Sequence, residues 1–578
     1  MRTSKKYLIW IWLILLISTL LRFYKINSIP NGLYQDETAI GYNAYSILQT
    51  GKDEHGVSWP IYFKSFGDYK LPMYIYLTAI SVKLFGLTPL AVRLPAAIFG
   101  VMAVVLSYFF ITTISKYTNP KAKSADYKKL ALLVSAVLAI SPWHIHYSRA
   151  AFEVTIALSL FLSGTIALYK GLYGKKPGFF TIGTVLFIFA FYCYNLTRML
   201  SPLLYLSILI INRKALPSIS KTEKFVSGLF TALLLLPAIQ TLFQKGGVSS
   251  ASGTLVWSST MVLAPLIEFR GIITQSHPEL AKFFFNTPFS IIFQYLKNIA
   301  AYFSVQFFFL DGSTHGNHGI GTMGLFYLFE LPLIILGLLK MIRDKGNLNL
   351  LMLSWISITV LVSALTREAP HATRSFFVLP GLILAISYGY LELIRLISDL
   401  NRNFLQVLFY SVAGLFAVYT FLYFLASYFI RFPIVYANRW RAIDQDVVKF
   451  IRTNDSTVDR FIIDETAGLI YTSILFYGNY NPRFFQNTAV WTEDDSEGFS
   501  QPAAFGKFVF KRIDWDKDYK TPKTLIITTH NTLPSGISAD ILFNYPGYSE
   551  FLAVKQKIHS VPKSENAYVG VFSRGSTR

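Results

Sequence analysis

Eleven predominantly apolar runs, most of them close to the length that crosses a bilayer, occupy most of this chain and constrain its fold more than any other feature. The hydrocarbon core takes about 20 helical residues to cross, and backbone polar groups inside it must be satisfied within the segment, so the runs predict α-helices. They fall near 7–24, 88–114, 129–143, 152–171, 178–194, 197–212, 224–243, 323–341, 348–366, 374–394 and 404–430. Basic residues collect in alternate loops: Arg2, Lys5 and Lys6; Lys116 to Lys129; Lys170, Lys175 and Lys176; Arg213 to Lys224; Lys340, Arg343 and Lys345; Arg395 and Arg402. Positive loops stay cytoplasmic, which puts the N-terminus inside and the C-terminal part outside. Two further stretches, 71–85 and 288–310, read as helices lying in the outer interface; counted as spans they would raise the total to thirteen.

Only 15% of the residues are charged and 53% are hydrophobic, against about 25% charged in soluble domains. The net charge of +21 does not call for nucleic acid, because residues 433–578 carry 17 Lys/Arg against 16 Asp/Glu. The excess lies in the membrane portion, where short basic loops meet anionic lipid. Cys193 is the sole cysteine, so no intramolecular disulfide and no cysteine-rich metal site can form. The N-terminal run follows a basic start and lacks a clear small-residue cleavage site, which predicts an uncleaved first span. The expected organisation is a transmembrane catalytic domain over 1–430 and a small extracytoplasmic α/β domain over 431–578. In the latter, 439–454 reads as an amphipathic helix and 466–477 as a helix between strands. Segments 460–464, 524–529, 541–545, 552–558 and 567–573 read as strands.

Within this topology the unusual polar residues gather at the outer ends. Asp36 and Glu37 are adjacent shortly after the first run, and carboxylates beside a bilayer are functional suspects. Asp68 and Lys70 share that loop. Arg149 and Glu153 are four apart, so on a helix they would share a face, either as an ordinary ion pair or as part of a site. Arg198 reads equally as a snorkelling side chain or a functional one. Arg367, His371 and Arg374 suit phosphate, since guanidinium groups bind it bidentately, and lipid headgroup contact is the plain alternative. His144, His146, His315 and His318 raise a metal reading, with His144, His315 and His318 the candidate ligands. One intervening residue points His144 and His146 apart on a helix, and the metal question stays open: no cofactor is required, and a divalent ion fits the residue types.

These residues resemble a known family, the GT-C membrane glycosyltransferases, and in particular bacterial, family 39-like relatives of the protein O-mannosyltransferases and of the aminoarabinose transferase. The matching features are the Asp36-Glu37 pair, Gly67-Asp68-Tyr69-Lys70-Leu71-Pro72, and Ala91-Val92-Arg93-Leu94-Pro95. Ser148-Arg149-Ala150 with Glu153, and Arg374 through Pro380, complete them. The resemblance covers about residues 7–430. It implies a polytopic helical GT-C fold and an inverting transferase that moves a sugar from a polyprenyl-phosphate donor to an envelope acceptor, whether lipid, glycan or protein. It further implies that Asp36 is the catalytic carboxylate, with Glu37 and Glu153 as accompanying acids. Lys70 would meet the departing phosphate, helped by Arg149 and Arg374, with Asp68, Arg198 and His371 as further substrate contacts. The loop at 244–287 is too short for the sugar-binding repeat domain that eukaryotic protein mannosyltransferases insert. Two other classes compete: a lipid-linked sugar transporter, which predicts mid-span charges, and a non-catalytic membrane scaffold, which predicts tolerance to loss of Asp36, Lys70 and Arg149 together.

Overall fold

The computed structural model describes residues 2–66, 69–242, 255–258, 260–313, 315–399, 403–467, 469–495, 499–529, 532–535, 537, 541–545, 548–555 and 571–572. The chain forms two units, one made of Met1–Tyr24 with Ala96–Ala426, the other of Lys25–Pro95 with Ser427–Arg578. Residues Lys25–Pro95, which follow the first helix, thus group with the C-terminal sheet. No local pattern announces this, because contacts distant in sequence decide it.

The named secondary-structure elements of the first unit, among its described residues, are all helices. Each apolar run predicted there contains a helix, including Arg2–Phe23, Val154–Leu172, Phe179–Phe191, Thr197–Ile211, Asn347–Ala364 and Leu379–Ser398. Five helical segments among the described residues are long and apolar enough to cross a membrane: Pro89–Thr118, Val154–Leu172, Asn347–Ala364, Ala372–Ser398 and Asn403–Val435. Tyr7–Phe23, Pro72–Phe85, Phe179–Phe191 and Thr197–Ile211 are apolar but shorter. The protein is therefore a polytopic α-helical membrane protein.

Packing in this unit relies on glycine. A Cβ on Gly337 would collide with the Ala385 backbone, and one on Gly389 with the Leu333 backbone, so Glu330–Arg343 and Leu379–Ser398 approach at two reciprocal points. Gly164 and Gly183 do the same for Val154–Leu172 and Phe179–Phe191, with Phe187 and Leu168 filling the space. Close backbone approach at small residues supplies the dispersion contacts that hold helices together in lipid, where apolar burial gives no driving force. Of the two expected interfacial stretches, one is the helix Pro72–Phe85 with proline at its start. The other is Thr287–Ala301, capped by Asn286 Oδ1 accepting from Phe289 N at 2.8 Å.

The second unit carries the sheet. β1 (Phe63–Lys64) and β2 (Tyr69–Lys70) form a small hairpin. The main sheet comprises β3 (Arg460–Asp464), β4 (Val490–Trp491), β5 (Pro502–Phe505), β6 (Phe508–Lys511), β7 (Thr524–Thr529), β8 (Ile541–Tyr545), β9 (Tyr548–Lys555) and β10 (Val571–Phe572). Its order is β4-β5-β6-β3-β7-β9-β8, with β10 also paired to β7. β3 is parallel to both β6 and β7, β10 is parallel to β7, and the other pairs are antiparallel. β7 (Thr-Leu-Ile-Ile-Thr-Thr) is buried along its whole length, as a central strand with both faces covered should be. Val447, Val448 and Ile451 of Asp444–Asn454 and Ile470 and Ile474 of Ile470–Tyr477 complete the core, joined by Tyr42.

Two local expectations shift. The helix expected over 439–454 begins only at Asp444, because Arg441 adopts φ 51°, a left-handed conformation that stops a helix from running through it. The helix expected over 466–477 likewise begins at Ile470.

Candidate functional site

Asp36 and Glu37 do not sit in a loop: they open the helix Gln35–Thr50. Carboxylates in a first turn face the positive end of the helix dipole and its unbonded N–H groups. Successive residues on a helix point about 100° apart, and the two acids accordingly have opposite environments.

Glu37 is fully buried and held by Arg93, also fully buried. Arg93 Nε and Nη2 donate to the two Glu37 oxygens at 2.9 Å each. Nη1 donates to the Ile26 and Pro30 carbonyls at 3.0 and 2.9 Å, and Nη2 also donates to the Gly32 carbonyl. Every guanidinium N–H thus has an acceptor. The pair ties the incoming turn segment 26–32, the start of Gln35–Thr50 and the head of Pro89–Thr118 to one point. Gly32 makes this possible: at φ 87° its missing Cβ leaves room for the Trp440 carbonyl and the Ala442 backbone. Glu37, expected among the catalytic acids, has both oxygens engaged in this clamp, and a carboxylate so enclosed is poorly placed to take a proton from substrate.

Asp36 is the exposed partner. Its side chain is 40% accessible, and Lys70 Nζ lies 2.7 Å from Oδ1. The lysine is 5% exposed, delivered by β2 with its ammonium 5.1 Å above the Phe66 ring. Asp68 lies outside the described residues.

A second adjacent acid pair, passed over in the sequence, sits in the same unit. Glu54 Oε1 accepts from Asn43 Nδ2 at 3.0 Å while Asn43 Oδ1 accepts from Glu54 N at 3.0 Å. Burial raises the Glu54 pKa to about 7, assisted by Asp53 and opposed by the Asn43 hydrogen bond and Lys70. Burial likewise raises Asp53 to about 6 against three backbone N–H bonds. The signal available in the sequence was a second acid doublet, Asp53-Glu54, within one short segment.

In the helical unit, residues 148–153 form turns rather than one helix, so the shared-face premise for Arg149 and Glu153 fails. Arg149 is fully buried and donates to the Leu21 and Tyr24 carbonyls at 2.9 and 2.7 Å, capping the C-terminus of Arg2–Phe23. Glu153 is half-buried just before Val154–Leu172, where its carbonyl accepts from Ile156 N and Ala157 N. Arg198 stands in the first turn of Thr197–Ile211 with its guanidinium 5.8 Å from the Phe191 ring centre. Arg374 donates to Glu368 Oε2 at 3.1 Å and to Thr366 Oγ1 at 3.0 Å, while Arg367 is exposed.

The histidines divide. His144 is fully buried, its Nδ1 2.7 Å from Arg22 Nη2, and His146 Nε2 lies 2.8 Å from the Asn317 carbonyl. His315, His318 and His371 form a group, with ring centres 4.7 Å apart for His318 and His371 and 6.1 Å for each of the other two pairs. His318 Nδ1 is 3.0 Å from Thr373 Oγ1, and His371 Nδ1 accepts from Thr373 N at 3.2 Å. Among the described residues no three His, Cys, Asp or Glu side chains are arranged to hold a metal ion, and His144 stands with Arg22 rather than with the His315–His318 group.

No protein-family model and no curated protein matches the sequence. Solved structures do. ArnT from Cupriavidus metallidurans in the apo state aligns over 96% of this chain and 98% of its own, with a TM-score of 0.53 at 11% identity. The same protein bound to undecaprenyl phosphate aligns over 96% and 99%, with a TM-score of 0.54 at 11% identity. At that identity the likeness is one of fold alone, extending over nearly the whole length of both chains.

Proposed function

We propose that this protein is a GT-C glycosyltransferase that moves a sugar from a polyprenyl-phosphate donor to an acceptor hydroxyl of the cell envelope, lipid, glycan or protein. In this reading residues 1–430 form its catalytic domain and 431–578 its extracytoplasmic domain, with the N-terminus cytoplasmic. The observation that carries the reading is the Asp36–Lys70 pair, a 40% accessible carboxylate 2.7 Å from a nearly buried ammonium. The fold shared with an undecaprenyl-phosphate-binding protein supports the donor class.

Chemically, the acceptor oxygen attacks the anomeric carbon from the face opposite the phosphate and inverts it. The anomeric C–O bond breaks with its electrons leaving on the lipid phosphate, and the acceptor proton passes to Asp36. Charge that develops on the phosphate needs a cation in place, and Lys70 supplies one from a wall of low polarity. Glu37 acts as a positioning residue: its clamp to Arg93 fixes the first turn on which Asp36 stands. Arg374, Arg198 and His371 are proposed as anion contacts of the helical unit, and Glu153 as an orienting acid there. Arg149 would first have to release two carbonyls.

The test is donor consumption by purified full-length protein in nanodiscs, supplied with a panel of polyprenyl-phosphate sugars and envelope lipid extract. Turnover by wild type and none by Asp36→Asn is the expected result. Equal turnover in both would remove Asp36 from the reaction.

A further inference from the structure

The sheet-bearing unit contains a cavity of about 320 Å³ that the chemistry above does not use. That volume lies in the range of roughly 300–1,000 Å³ typical of small-molecule sites. Its walls come from Phe66 of the hairpin, Asp464 and Glu465 at the end of β3, Tyr471, Thr492, Glu493, Asp495, the run Phe499 to Pro502, and Phe510 of β6.

We propose that this cavity binds a sugar residue free of anionic groups and serves as the acceptor-side subsite of the enzyme. The acceptor role rests on the transferase reading, whereas the binding of sugar does not.

Four observations carry the proposal. First, the lining alternates phenyl rings (Phe66, Phe499, Phe510) with Thr492, Ser500 and Gln501. A pyranose has the same duality: a C–H face for an aromatic ring, and an edge of hydroxyls that both donate and accept. Second, Tyr471 is 3% exposed, lines the cavity, and has no partner for its hydroxyl among the described residues. Buried hydroxyls are nearly always hydrogen-bonded, so an orphan at a cavity wall marks a group awaiting a ligand. Burial, reinforced by the Glu54 carboxylate, pushes its pKa well above the usual phenol value, so it stays a donor. Third, Asp464, Glu465, Glu493 and Asp495 line the cavity, and no lysine or arginine does among the described residues. Asp464 accepts from Thr466 N and Oγ1 at Oδ1 and from Thr528 Oγ1 at Oδ2, and Asp495 Oδ1 accepts from Phe499 N at 2.9 Å. The Glu465 and Glu493 carboxylates suit hydroxyl or ammonium donors, and the negative charge of all four acids repels phosphate and uronate. The cavity therefore does not suit the donor's phosphate. Fourth, Phe66 belongs both to the cavity wall and to the Lys70 contact, and Tyr69 meets Phe499 with ring centres 5.6 Å apart. The cavity thus adjoins the Asp36–Lys70 pair through residues of one hairpin.

The experiment is saturation-transfer NMR and calorimetric titration on full-length protein in nanodiscs. The probes are maltotriose, a glucosamine trimer, trigalacturonate and calcium chloride alone. Maltotriose and the glucosamine trimer should bind and trigalacturonate should not. Tyr471→Phe should weaken binding about three- to tenfold, the loss expected for one hydrogen bond, without lowering the unfolding temperature, since it removes an unmet hydroxyl. Phe499→Ala should weaken it tenfold or more. Asp36→Asn should end sugar transfer yet leave trisaccharide affinity unchanged, which separates the subsite from the catalytic reading. Failure of both the neutral and the amino trisaccharide to bind overturns the proposal. So does binding that neither variant changes, equal or tighter binding of trigalacturonate, or calcium binding that Glu493→Gln abolishes while no sugar binds. Sugar binding by wild-type protein that transfers sugar from none of the polyprenyl-phosphate donors supports the subsite and refutes its acceptor role.

Discussion

Asp36 and Glu37 are neighbours with the same chemistry, and their variants should fail in different ways. Glu37→Gln keeps shape and volume but turns one oxygen facing Arg93 into a donor. Arg93 then loses one of its two charge-assisted bonds and the compensating charge, while its other bonds run to the carbonyls of Ile26, Pro30 and Gly32. Breaking a buried pair by altering one partner costs about 3–5 kcal/mol. For a unit of roughly 200 residues that corresponds to a fall of about 6–20 °C in unfolding temperature, at about 2–4 °C per kcal/mol. Asp36→Asn breaks an ion pair whose carboxylate is 40% exposed but whose ammonium is 5% exposed. Its cost falls between about 0–1 kcal/mol for an exposed pair and about 3–5 kcal/mol for a fully buried one, so its unfolding temperature should fall by clearly less than that of Glu37→Gln. The assay is tryptophan-monitored unfolding of detergent-purified protein at one fixed scan rate, with donor turnover measured on the same preparations. Glu37→Gln should be unstable and keep partial activity per folded molecule at low temperature; Asp36→Asn should be more stable and inactive. An unfolding temperature for Glu37→Gln within 2 °C of wild type would refute the clamp, by the same conversion of roughly 2–4 °C per kcal/mol. Equal destabilisation by the two variants would refute the division of roles.

Lys70→Ala should reduce donor turnover by about 100-fold or more, the scale seen when a preorganised electrostatic contact is lost; a tenfold excess of enzyme in a timed donor assay makes the residual rate measurable. Glu54 holds its proton more tightly when folded, at about 7 against an ordinary 4.5. Its contribution to stability is therefore full below pH 4.5 and is lost as pH rises through 7, a change on the order of 3 kcal/mol. Glu54→Gln should flatten the unfolding temperature between pH 5 and pH 7 relative to wild type. His55, which burial and Lys64 lower to about 4, titrates in both proteins and cancels in that difference. Gly32→Ala should cost about 2–4 kcal/mol, from a left-handed backbone and a Cβ forced against the Trp440 carbonyl, read as lost thermal stability.

The membrane class was legible because apolar runs of span length and the clustering of Lys and Arg in alternate loops are local properties of the chain. The helical segments followed from them directly, as did β3, β7 and β8, whose β-branched and aromatic runs are short and bounded by turn residues. The Asp36-Glu37 doublet was visible for the same reason: two adjacent acids beside an apolar run stand out without any knowledge of the fold. Tertiary structure decided everything that depended on which way a side chain points and what it meets. It separated Asp36 from Glu37 by about a quarter of a helical turn, exposing one and burying the other against Arg93. It replaced the expected Arg149–Glu153 helix face with turns and turned Arg149 into a cap for a helix more than 100 residues away. It also joined residues 25–95 to the sheet and so built the cavity walled by Phe66 and Tyr471. Local sequence carries periodicity and charge, whereas burial and partner choice arise from contacts between segments far apart in the chain, which no window of sequence contains.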